Sequence, residues 1–192
     1  EAFDGLSQII KDREFTGQLG SYIAVPVSDE DHLYYMVLVG LGKKGASVLP
    51  VENYRRAVGT AVRVAEELKV DSLAFSLPDP LLFGITPEAL AEQTASILEI
   101  AHYSFDTYHS SKDKKMRDYK VTLALEDLTK EKVEAGIARG EIVGEAVNQA
   151  RHWIDLPPVC LTPTELADKA KHHQGSNAHL SKPLFLEMDR FQ

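Results

Sequence analysis

Gly40-Leu41-Gly42-Lys43-Lys44-Gly45 follows the apolar run Val37-Leu38-Val39 with Gly-x-Gly-x-x-Gly spacing. Glycines so placed let a backbone approach a pyrophosphate closely, while the N-terminus of the following helix supplies positive potential. The context points instead to a plain strand-to-helix turn. A dinucleotide fingerprint opens the helix itself, whereas Ala46–Pro50 intervenes here before the helical period starts. The next strand ends in Ser76-Leu77-Pro78, without the carboxylate that would take a ribose hydroxyl. Gly40, Gly42 and Gly45 stand as a weak phosphate-loop candidate.

The histidines form no metal-ligand spacing. His172 and His173 are neighbours, pointing about 100 degrees apart on a helix, and His102 and His109 lie roughly two turns apart without a carboxylate at ligand spacing. Neither His-Glu-x-x-His nor Gly-x-Ser-x-Gly occurs. The acidic runs Asp29-Glu30-Asp31, Glu66-Glu67 and Glu126-Asp127 read as solvated faces and turns. One cysteine, Cys160, excludes an internal disulfide framework and a cysteine-based zinc site, and reads as a small packed apolar residue.

The elements that carry these residues follow from hydrophobic period. Leu6–Lys11 reads as a short helix, and Tyr22–Val27 and Leu33–Val39 as strands joined in a hairpin across Ser28–His32. Pro26 places the first strand at an edge or on a bulge. The second is almost wholly apolar, which predicts a central strand covered on both faces. Tyr54, Ala57, Val58, Ala61, Val62, Ala65 and Leu68 recur at three- and four-residue steps, predicting an amphipathic helix to about Lys69. A strand at Asp71–Ser76, a loop from Leu77 to Gly84 and a helix capped by Thr86 with Pro87 at its first position come next. After an aromatic and then polar stretch, Val121–Leu125 is a strand. The alternation predicts an α/β fold: a mixed, largely parallel sheet flanked by helices on both faces.

From Thr129 to Ile154 runs a long helical pattern carrying Gly136, Gly140 and Gly144 at four-residue intervals. Each glycine costs a helix roughly 1 kcal/mol relative to alanine, so three on one stripe predict a close backbone approach to another element. The interspersed Glu134, Arg139, Glu141 and Glu145 exclude a membrane span. Pro157 and Pro158 stop this helix near Asp155, and Thr162-Pro163-Thr164-Glu165 reads as a capping box that starts another, running to about His173. Gln174–His179 reads as a turn or loop, and Leu184-Phe185-Leu186 as a strand.

This joint, Arg151 to Ala167, resembles the junction between the N-terminal and catalytic domains of the leucyl (cytosol) aminopeptidase family, the M17 metallopeptidases. The likeness lies in a helix ending Arg151-x-x-x-Asp155-x-Pro157-Pro158, then Leu161-Thr162-Pro163-x-x-Leu166-Ala167. It continues upstream in Val37–Gly42 and in Tyr54–Arg63 and covers most of the chain in family order. Asp155 and Val159 stand where the family commonly has Asn.

The resemblance implies residues 1–128 as an N-terminal noncatalytic α/β domain, similar in architecture to macro domains, 129–155 as a linker helix, and 156–192 as the truncated start of a catalytic domain. It further implies a parent hydrolase that releases N-terminal amino acids from peptides, assembles as a hexamer and uses two divalent metals, zinc or manganese. In such enzymes Lys, Asp and Glu ligands hold the metals, in segments such as Asn-Thr-Asp-Ala-Glu-Gly-Arg, where two metals would polarise the scissile carbonyl and activate a bridging water. No such segment lies between Glu1 and Gln192. The expectation is therefore an aminopeptidase fragment with no catalytic or metal-binding residue of its own, in which Arg151, Trp153, Asp155, Pro157, Thr162 and Glu165 form the inter-domain joint and Trp153 is a buried anchor. A different class of function, a binding module for ADP-ribose or a related nucleotide, would use the glycine turn.

Composition fits a soluble protein of ordinary kind, 44% hydrophobic and 26% charged among 192 residues. The start, Glu1-Ala2-Phe3-Asp4-Gly5, lacks the basic and apolar regions of a leader, and a cytoplasmic location is expected. Beginning at Glu rather than Met, the chain reads as a piece of something longer. A net charge of −8 argues against a nucleic-acid surface. The exception is Lys112, Lys114, Lys115 and Arg117, which Asp113 and Asp118 interrupt. In a gel-retardation assay at low and at physiological salt, the chain is expected to leave duplex DNA unshifted at both. A shift that weakens as salt rises would assign this cluster to phosphate contacts instead.

Overall fold

The computed structural model describes residues 5–29, 32–43, 45, 48–108, 120–124 and 130–176. The chain divides into two compact units, Glu1–Gln149 and Ala150–Gln192. In order, the elements are α1 (Leu6–Asp12), β1 (Tyr22–Asp29), β2 (His32–Val39), α2 (Val51–Leu68), β3 (Ser72–Ser76), a 3-10 turn (Pro80–Phe83), α3 (Pro87–His102), β4 (Lys120–Ala124), α4 (Lys130–Asp155) and α5 (Pro163–Ser176).

Local chemistry accounts for most boundaries. Thr86 Oγ1 accepts from the Ala89 N–H at 3.1 Å with Pro87 in the first turn, so α3 starts where one orphan donor is satisfied and one is missing. Asp79 accepts from the Leu81 N–H at 2.9 Å, and Gly84, left-handed at φ +64, closes the same 3-10 turn. Lys69 ends α2 in the left-handed region at φ 55, its N–H donating to the Glu66 carbonyl and that of Val70 to the Ala65 carbonyl.

Among the described residues the strands form two separate pairs. β1 and β2 are antiparallel, with Ala24 opposite Val37 and Pro26 opposite Tyr35. β3 and β4 are parallel, joined through α3, with Ala74 beside Thr122. The mixed α/β class follows the sequence pattern. The prediction that β2 is covered on both faces does not hold: its first half is open, with Leu33 62% and Tyr34 54% exposed. An apolar run specifies a strand but not which end of it is covered. Two further corrections lie in the second unit. Gln174, placed in a loop, belongs to α5, because that helix continues to Ser176; Cys160 is exposed, because it sits in the turn before α5 rather than under a helix. His109, the Lys112–Arg117 cluster and Leu184–Leu186 lie outside the described residues.

The core of the first unit forms around α2 and α3. Tyr54, Val58, Leu77, Phe83, Leu90, Ala91 and Val133 are buried in one cluster, with Leu41, Phe75 and Leu123 packed against it. Inside it, the Thr94 hydroxyl donates to the Leu90 carbonyl at 2.7 Å. That leaves Thr94 Oγ1 as acceptor for the Tyr54 hydroxyl at 2.6 Å, so the phenol donates across from α2 to α3. Burial pushes the Tyr54 pKa up.

On another face α3 meets α4 at very short range, as the glycine spacing predicts. A Cβ on Gly136 would come within 2.9 Å of Ala91 Cβ, and one on Gly140 within 2.7 Å of Ala95 Cβ, each still nearer to an α3 carbonyl. Gly144 is similarly pressed on Glu99 and Ser96. Arg139 pairs with Glu88, and Asn148 Nδ2 donates to the Glu99 carbonyl at 2.9 Å. Among the described residues no helix is long and apolar enough to cross a membrane.

Helix propensity alone predicts that Gly140→Ala gains about 1 kcal/mol. The contact geometry predicts the opposite sign: a net loss of about 1–3 kcal/mol in denaturant unfolding, while Ala138→Val on the exposed side stays within about 0.5 kcal/mol. Tyr54 supplies a second test. Its phenol ionises more readily in the unfolded chain, so its contribution is present below the ordinary value of 10.0 and is lost as pH rises past it. Tyr54→Phe is expected to lower stability near neutrality by about 1 kcal/mol and to flatten the alkaline fall in thermal unfolding measured across that range.

Candidate functional site

Gly40, Gly42 and Gly45 sit at the end of β2, and the first two are fastened to the turn that precedes β1. The Gly40 N–H donates to the Ser21 carbonyl at 2.8 Å and the Gly42 N–H to the Gly17 carbonyl at 2.9 Å. A Cβ at Gly40 would fall on the backbone of Gly17 and Gln18, and Gly42 is left-handed at φ +83. Asn53, in the first turn of α2, donates from Nδ2 to the Leu41 carbonyl at 2.9 Å and ties the turn to that helix. Two of the N–H groups a phosphate would need are therefore already donated to main-chain carbonyls. Gly45 is exposed with open space around it. These glycines are explained by close packing of one turn on another. The sequence reading missed Asn53; the signal available was a polar side chain directly beside the buried Tyr54.

The joint residues lie in the second unit. α4 ends at Asp155, and Pro157 accepts from the N–H groups of Cys160 at 2.8 Å and Leu161 at 3.1 Å, closing the turn between the helices. Thr162 Oγ1 accepts from the Glu165 N–H at 3.3 Å, which is the forward half of a capping box. Among the described residues the return bond from the Glu165 carboxylate is not formed, and both side chains are exposed. Arg151 and Pro157 are half-buried and Asp155 is exposed. Trp153 is half-buried, and Ile154 beside it is 80% exposed.

The titratable groups of the described residues converge on no reactive centre. His102, at the C-terminal end of α3, has its Nδ1 3.4 Å from the Glu66 carboxylate. Tyr22 donates to Glu67 at 3.2 Å, and that carboxylate raises the phenol's pKa. His172 and His173 fall within α5. Among the described residues no three His, Cys, Asp or Glu side chains come together in a way that would hold a metal ion. The set present does not fit a two-metal centre.

Comparison with known proteins accounts for this arrangement. Residues 1–112 match the family model described as the cytosol aminopeptidase family, N-terminal domain. A protein of Roseiflexus castenholzii named "probable cytosol aminopeptidase" is 37% identical over 139 residues, covering 71% of this chain and 28% of that protein. One of the same name from Nostoc punctiforme is 31% identical over 172 residues, covering 89% of this chain and 33% of that protein. The chain thus spans about a third of the length of these relatives. In fold it is similar to a tomato leucine aminopeptidase variant, with a TM-score of 0.69 at 22% identity over 89% of this chain and 32% of that one. It is also similar to the bottromycin maturation enzyme BotP, with a TM-score of 0.70 at 24% identity over 88% and 34%. These likenesses bear on the α/β fold. A match over more than half its length to the N-terminal domain model, with relatives that agree, places this chain in the cytosol aminopeptidase family.

Proposed function

We propose that these 192 residues are the noncatalytic N-terminal domain of a cytosolic, leucyl aminopeptidase-like metallopeptidase, with the linker helix and the first helix of its catalytic domain. The observation that carries this reading is the family match over residues 1–112, in a chain that spans only about a third of its relatives. The whole enzyme would release N-terminal amino acids from peptides, assemble as a hexamer and hold two divalent metals, zinc or manganese. A related structure is a complex with manganese, which supports a divalent metal in this family's fold. Because the described residues do not fit such a centre, the reading assigns no chemical step to them and puts the ligands in the part of the protein that these residues do not include.

Within that division of labour, residues 1–128 would serve as a peripheral scaffold and 129–155 as the linker. Arg151, Trp153, Asp155, Pro157, Thr162 and Glu165 would fix how the chain passes from α4 into α5. Prolines that stop one helix and a Thr-Pro pair that starts the next support the assignment, since both ends are set by local backbone chemistry. The nucleotide-binding alternative gains no support from the glycine turn, whose inner N–H groups are engaged.

The test compares two purified proteins on a leucyl-anilide substrate, with zinc or manganese added and then chelated. The full-length protein is expected to release leucine in a metal-dependent way, and the 192-residue chain to release none. Turnover by the pure short chain would overturn the reading.

A further inference from the structure

The buried positions of α4 are Val133, Gly136, Gly140 and Gly144, which form one line along the helix and meet α3 through the three glycines. At about 100° per residue, Ile142, Val143, Ala146 and Val147 fall on a second side, roughly a quarter turn from that line. All four are exposed, Ile142 at 66%, Val143 at 45% and Val147 at 37%. Arg139, at the head of this second stripe, pairs with Glu88 on α3 and leaves the stripe itself uncharged. The same spacing carries on in the sequence at Ala150 and Ile154.

A helix that only covered α3 would carry one apolar stripe and polar residues around the rest of its surface. α4 carries two stripes. Ile142, Val143 and Val147 are β-branched, and such residues are weaker helix formers than the Ala, Glu, Lys or Gln that suit a face in water. Intrinsic propensity therefore does not account for them, and a contiguous exposed apolar strip on a helix marks a contact surface. The charged residues are sorted to match: Glu141 and Glu145 gather on a third side of the helix, next to Ile142.

We infer that the Ile142–Val147 face of α4 is the seat of the catalytic part of the same polypeptide, an inference that rests on the function proposed above. The relatives supply the occupant: this chain covers 28% of one and 33% of another, and its match is to the family's N-terminal domain, so the larger part of such a protein lies elsewhere in its sequence. Covalent linkage favours that part over a separate molecule. α4 ends at Asp155, in the joint that leads toward it, and a tethered surface reaches the face at a high effective concentration. Charge sets the rest of the chemistry. A surface that fits is aliphatic or aromatic where it meets Ile142, Val143 and Val147, with Lys or Arg along the margin that faces Glu141 and Glu145.

The test uses the full-length protein with a photoreactive benzophenone amino acid in place of Ile142, prepared as a mixture of light and heavy isotope forms. Irradiation and peptide mass spectrometry are expected to find cross-links from position 142 to peptides of the catalytic part, within one copy of the chain. The same label in place of Glu134 is expected to give none. Thermal unfolding supplies the second measurement. On a helix face open to water Ile142→Glu would leave stability unchanged or raise it, whereas under a docked surface it is expected to lower the thermal midpoint by about 2 °C or more. Absence of cross-links from position 142 would overturn the inference, as would cross-links only within residues 1–192 or only between light and heavy copies, the last pointing to a second copy. So would an unchanged midpoint for Ile142→Glu. Metal-dependent leucine release by the unlabelled protein reports separately on the proposed function, so turnover without cross-links sinks the inference alone. Should the protein labelled at 142 not fold, the same label in place of Val147 decides.

Discussion

Small residues on α3 govern the packing of the first unit, because that helix is approached at close range from two directions. Ala91 and Ala95 let the backbone of α4 come near enough that Gly136, Gly140 and Gly144 have no room for a side chain. Around its axis the same helix buries Leu90 and Thr94 against α2. Such proximity exchanges side-chain volume for backbone contact. It makes the position of α4 depend on a row of missing methyl groups, which close-packed interiors transmit as strictly as they transmit bulk.

Polar groups in that interior obey the same economy of space. Tyr54, Thr94 and the Leu90 carbonyl form a directed chain in which every hydroxyl proton has an acceptor. The arrangement ties α2 to α3 without leaving a buried donor unsatisfied, which would cost about 1–3 kcal/mol. The glycine turn after β2 is built likewise. Its N–H groups meet the carbonyls of Gly17 and Ser21, and Asn53 takes up the Leu41 carbonyl. A pattern that elsewhere cradles a phosphate here holds two turns together, and the difference lies only in what the N–H groups face.

The match to the N-terminal domain of the cytosol aminopeptidase family falls on residues 1–112. The described side chains make caps, a ladder, a buried hydroxyl chain and a helix interface.

Much of this was legible in the amino-acid sequence, wherever the determining interactions are local. Thr86-Pro87 and Thr162-Pro163 mark helix starts because a hydroxyl and a missing N–H act within one turn. Prolines at 157 and 158 stop α4 for the same reason, and the four-residue glycine spacing announces a close neighbour. What the sequence could not supply is the identity of partners far along the chain. Nothing local says that the stripe on α4 meets Ala91 and Ala95, that Gly40 donates to Ser21, that half of β2 stays open, or that Cys160 faces solvent. Periodicity gives each element a face, and only tertiary packing decides what that face touches.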